Sequence, residues 1–242
     1  MPTTLFAQFL NLHFGAVTTV FLRALHVQPA HPAAPITDAF AMELLAFFAL
    51  LAFFIVVRLT LSVEKPAAFQ HLAEISHEFV LEQGESIIGH GHERFTAYLT
   101  VLGLFILLCN LMGLIPGLES PTANVVVPLG FALVTFVYYH YHGVRENGFS
   151  YIKQFLGPVW WLYPLMFLIE IISHLARILS LTVRLYANIF AGDLVTLAFF
   201  SLVPLGIPLV FMGLHMFVAV VQAYVFFLLG AVYLSMAVAH EH

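Results

Sequence analysis

Apolar residues along this chain come in blocks of about 20, the length of one bilayer crossing, separated by short polar pieces. "LLAFFALLAFFIVV" (44–57) is uninterrupted, with Glu43 and Arg58 as its polar limits, and predicts a first span over about 39–62. "TAYLTVLGLFILLCNLMGLI" (96–115) and "VVVPLGFALVTFVYYHYH" (125–142) predict two more. The apolar stretch 159–202 exceeds one crossing at ~1.5 Å per residue, so it must tilt, break or lie partly along the interface. "PLGIP" (204–208) reads as a turn, and a last span over 209–238 follows. The segment 63–95 is polar, but its apolar residues recur at helical spacing, which predicts an amphipathic helix on the membrane surface. Residues 1–36 mix apolar positions with Gln8, Asn11, His13 and Arg23 and end in a proline-rich linker. They read as a surface-lying or short re-entrant helix, with a full span as the alternative. The expected division is a 1–36 extracytoplasmic or interfacial segment and a single membrane domain over 37–242, with a hairpin over 159–239.

Composition agrees with this pattern. The 242 residues are 62% apolar and 9% charged, against about half and a quarter in soluble domains. An all-α polytopic membrane protein with about five transmembrane helices plus amphipathic helices is expected, with no room for a sizeable soluble domain. The one cysteine, Cys109, makes no intrachain disulfide, and the N-terminus lacks the positive region of a secretory signal. Arg58, Lys65, Arg94, Arg145 and Lys153 flank the polar segments on one side, opposed by Arg23. The positive-inside tendency puts that side and the C-terminus in the cytoplasm and the N-terminus outside.

Charge inside the hydrocarbon costs about 2.5–3.5 kcal/mol per residue on insertion scales, so intramembrane polar residues read as functional. Stretch 159–202 holds Glu170, Ser173, His174, Arg177, Arg184, Asn188 and Asp193, and the last span holds His215 and Gln222. Glu170, Arg177 and Arg184 are spaced by seven, nearly two full turns, and form one stripe that Asn188 extends. His215 and Gln222, also spaced by seven, share a stripe on the last helix. The turn makes the two helices antiparallel neighbours. Asp193, His215, Asn188 and Gln222 then form a trail from outside, and Glu170, Ser173 and His174 one from the cytoplasm. Carboxylates and histidine exchange protons near neutral pH; arginine does not. Arg184 between the trails would block direct leakage and favour deprotonation of a mobile carboxylate beside it. No such carboxylate stands opposite it in this chain, so a partner subunit is expected to bring one. Asp193 is nine residues past Arg184, about 180° around an ideal helix, and should face away from it unless Gly192 admits a bend. Arg177 and His174 are expected to serve packing or the cytoplasmic rim.

The motifs "LSLTVRLYANIFAGDLV" (179–195), "LHMFVAVVQAYVFFLLGAVYLSMA" (214–237), "NLMGLIPG" (110–117) and "SPTANVVV" (120–127) closely resemble subunit a of F-type ATP synthases. The resemblance runs from about residue 38 to the end, and the terminal "HEH" is similar to bacterial members. It implies a stator subunit of the proton channel in the bacterial inner membrane, packed against a rotating c-ring and held with peripheral-stalk b subunits. It implies two offset half-channels separated by an essential arginine, which maps onto Arg184. Asn188, Asp193, His215 and Gln222 map onto the outer side, and Glu170 and Ser173 onto the cytoplasmic side. The last two helices are implied to form a long, strongly tilted hairpin against the ring. The transported ion is expected to be H⁺, with no cofactor, metal or nucleic acid. The chain lacks a G-x-x-x-x-G-K-[ST] motif, so no nucleotide site and no catalysis of its own are expected. The alternatives are a self-contained ion-coupled secondary transporter, which often carries inverted repeats not apparent here, and a structural anchor without conduction.

Overall fold

A computed structural model describes residues 4–24, 26, 34–62, 66–89, 91–115, 117–148, 151, 160–202 and 206–238. Lys65, His90, Lys153, Val159, Pro204 and Leu205 of the "PLGIP" turn, the terminal "HEH" and the middle of the proline-rich linker lie outside them. Seven α-helices make up the described fold: α1 (Leu5–Ala24), α2 (Asp38–Leu59), α3 (Ala68–Ile88), α4 (Glu93–Met112), α5 (Val126–Asn147), α6 (Tyr163–Leu202) and α7 (Ile207–Val238). Single 3₁₀ turns occupy Pro121–Ala123 and Trp160–Leu162.

Five of these helices are long and apolar enough to cross a membrane: α1, α2, α4, α6 and α7. The total is the expected one, but its membership differs. α1 qualifies, at 20 residues, favouring the full-span alternative for the N-terminal segment by length and composition. Its docking is specific. Thr4 donates from Oγ1 and from its backbone N to Asp38 Oδ1 at 2.6 and 3.0 Å, and the Asn11 amide clasps both the N–H and the carbonyl of Ile36. α5 does not qualify, because its "YYHYH" and Arg145–Glu146 end is polar. It nonetheless packs on α6 and α7, so it belongs inside the bundle.

The amphipathic segment forms α3, laid against α4 and α7. Its exposed face carries Glu74, Glu78, Glu82 and Glu85, while Val80 and Gly84 are buried. The Arg94–Glu146 ion pair joins the start of α4 to the end of α5 and fixes those two helices antiparallel.

α7 is the centre of the bundle. Ala219, Ala223, Ala231 and Gly230 are buried along it, small residues that let neighbouring backbones approach. Around them, Met42, Leu102, Ile106, Phe131, Leu185 and Ile189 close one apolar cluster, and Phe95, Leu99, Tyr139 and Leu234 a second. α6 is different. It runs unbroken for 40 residues, about 60 Å, twice the ~30 Å hydrocarbon thickness, so a straight crossing requires strong tilt. Leu181, Leu185 and Ile189 face the bundle, and most of its other apolar side chains are bare.

Candidate functional site

α6 and α7 form an antiparallel ladder whose rungs can be read in order. Phe199 stacks on Phe211 with ring centroids 4.1 Å apart. Asp193 Oδ1 then lies 3.5 Å from His215 Nδ1. Next, Asn188 Nδ2 donates to Gln222 Oε1 at 2.8 Å. Far along the hairpin, the Arg177 guanidinium sits over the Tyr233 ring, 5.1 Å from its centroid. Asp193, His215, Asn188 and Gln222, grouped by sequence spacing, are thus two directly paired rungs.

Gly192 permits the Asp193 rung by leaving space for the His215 ring. A Cβ at Gly192 would fall 2.9 Å from His215 Nδ1, so the missing side chain makes room for the imidazole. His215 is buried to 4% exposure, and its Nε2 has no hydrogen-bond partner among the described residues. An orphaned buried polar atom costs about 1–3 kcal/mol, which packing alone would not select.

The loop after α4 covers this end. A Cβ at Gly113 would lie 3.4 Å from Asp193 Oδ1. Buried hydrogen bonds hold the loop: Ser120 Oγ with Thr122 Oγ1, Ser120 Oγ to the Cys109 carbonyl, and Thr122 Oγ1 to Asn110 Oδ1. Asn110 Nδ2 then donates to the Ala219 carbonyl, one turn along α7 from His215. Spacing arguments missed this string, whose signal was an asparagine inside the apolar second half of α4.

Arg184 stands apart from both rungs. It is four residues before Asn188, and four beyond Gln222 the ladder puts Phe226, buried and apolar, on α7. Its Nη2 donates to Ser180 Oγ on its own helix at 3.2 Å. Around it Ser180, Ala187, Asn188 and Ala191 are exposed, so the cation sits on an open face of small side chains.

The polar group around Glu170 turns to a different neighbour. Glu170 Oε1 is 3.3 Å from His174 Nε2, and His174 Nδ1 is 3.0 Å from the Tyr139 hydroxyl of α5. Glu170, His174, Arg177, Tyr139, Tyr151 and Tyr233 line a cleft of about 200 Å³. Ser173 is half-buried and is not part of that lining. Tyr139 and Tyr151 were not singled out from the sequence. The signal available was the polar "YYHYH" ending an otherwise apolar span.

The fold and site define a polytopic membrane subunit with ionisable groups along one hairpin and a permanent cation on its open face. A family described as ATP synthase A chain matches residues 40–235. The chain is 58% identical to ATP synthase subunit a of Koribacter versatilis, over 100% of both chains. It is 44% identical to that of Solibacter usitatus, over 88% of this chain and 92% of the other. The chain belongs to the ATP synthase A chain family.

Proposed function

We propose that this chain is the stator side of the proton channel of an ATP synthase, coupling proton flow to rotation of a c-ring without itself catalysing ATP chemistry. Arg184 is the barrier. Asp193, His215, Asn188 and Gln222 serve the outer half-channel, and Glu170, with Ser173 nearby, the cytoplasmic half-channel. Peripheral-stalk b subunits and lipid cover the remaining apolar faces, in a bacterial inner membrane with the N-terminus outside and the C-terminus in the cytoplasm. A membrane potential supplies about 2.3 kcal/mol per proton per 100 mV for this work.

One observation carries the reading. Arg184 lies between two separate acid–histidine pairs, on an exposed face whose register partner on α7 is Phe226. An uncompensated cation in hydrocarbon needs an anion from elsewhere, and the small residues around it admit a close helix. The orphaned His215 Nε2 supports a proton-handling role on the outer side.

The test is cysteine crosslinking in the assembled complex. The native Cys109 is buried and gives little background. Ser180→Cys and Ala187→Cys are expected to crosslink to cysteines on the outward helix of a ring subunit, near its carboxylate. Crosslinks confined to other subunits, at both positions, would refute the docking.

A further inference from the structure

The inner cleft holds more proton-exchanging groups than Glu170, and His174 is where they meet. Its side chain is 10% exposed, with Glu170 on Nε2 and the Tyr139 hydroxyl on Nδ1. The ring of His140, on α5, has its centroid 4.7 Å from that of His174. His140 Nδ1 is in turn 3.4 Å from the Tyr151 hydroxyl. The described titratable and charged groups around His174 are therefore Tyr139 and His140 from α5, Tyr151 after it, Glu170 and Arg177 from α6, and Tyr233 from α7.

We propose that His174 is a proton carrier, relaying protons between Glu170 and the Tyr139–His140 side of the cleft, so that the inner path runs between α6 and α5. This rests on the reading of the Glu170 end as the cytoplasmic half-channel. An imidazole accepts a proton at one ring nitrogen and releases one from the other. A proton passes from the Tyr139 hydroxyl to Nδ1 as the Nε2 proton passes to the Glu170 carboxylate. The Tyr139 oxygen regains a proton from a protonated His140 or from hydronium in the cleft, which carries the incoming proton. Only N–H and O–H bonds exchange, and one proton moves in all. A histidine serving packing alone would sit in closed apolar contact. This one borders a space of about 200 Å³, room for several waters at ~30 Å³ each.

The experiment uses the whole complex in inverted membrane vesicles, following ATP-driven proton pumping by fluorescence quenching, with subunit content checked by immunoblot. His174→Gln keeps a hydrogen-bonding side chain but cannot carry a proton, and is expected to slow pumping about tenfold or more. His174→Ala is expected to be slow and to regain pumping as imidazole is added, a rescue that lost packing would not show. Pumping by His174→Gln within about twofold of the unaltered complex overturns the proposal. A slow His174→Ala that imidazole does not restore overturns it too, and this arm decides alone if His174→Gln fails to assemble. Glu170→Gln is measured beside them. If it pumps normally, the cytoplasmic reading of that end fails, whereas a blocked Glu170→Gln with a normal His174→Gln removes the relay alone.

Discussion

The two ends of the hairpin handle charge in different ways. At the Asp193 end, α6 pairs with α7 through direct rungs: Asp193 with His215 and Asn188 with Gln222. A hydrogen-bonded loop closes over them. At the Glu170 end, α6 turns its acid–histidine pair to α5 and leaves an open cleft. The two acid–histidine pairs therefore lie on different flanks of one helix, with Arg184 between them along its length, exposed on the stripe it shares with Glu170 and Arg177. A single wire of polar groups through the bundle would have kept one flank. Two flanks suit two paths that meet only through a partner at Arg184.

The largest expected effect comes from removing the divider. Arg184→Ala should lower ATP-driven proton pumping by about 100-fold or more, as loss of a central electrostatic contact does, measured by quenching in inverted vesicles. Gly192→Leu should act at the outer end only. Its Cβ cannot share the space of the His215 ring, and overpacking costs about 1–3 kcal/mol. Pumping should fall about tenfold per 1.4 kcal/mol, and Gly192→Ala should lose less. If Gly192→Leu pumps normally, the Asp193–His215 rung has no part in conduction. Asn110→Leu leaves Thr122 and the loop without their buried acceptor, and should lower thermal stability of the purified membrane sector by about 1–3 kcal/mol. The smallest effect is the coupling of Asn188→Ala with Gln222→Ala. A double-mutant cycle on membrane-sector stability should return about 0.6–1.7 kcal/mol, the range of hydrogen bonds between membrane helices. A value near zero would mean the rung forms without holding the helices together.

The sequence made the outer end more legible than the inner one, for a physical reason. Asn188, Asp193, His215 and Gln222 lie on two helices joined by a short turn, so spacing within each helix and one reversal are enough to pair them. Asp193 faces away from Arg184 and toward α7, as nine residues of helix require. Gly192 reads alone as a bend, because a close approach to His215 appears only once both helices are placed. At the inner end, His174 meets α5, whose register against α6 depends on packing distant in sequence. "YYHYH" looked like a span edge, and His174 like rim packing, until Tyr139 and His140 were placed beside it. The excess length of α6 is legible in the sequence, and its continuity over Tyr163–Leu202 removes the break that length alone would allow.

The most direct test is the passive proton leak of vesicles carrying the membrane sector with Arg184→Ala, after the ATP-hydrolysing part is stripped. If Arg184 divides two paths, its removal leaves a leak at least as fast as that of the unaltered sector, although ATP-driven pumping by the full complex is lost. If the leak disappears along with pumping, Arg184 is a link in the conducting chain and not its barrier. If pumping survives, it is neither.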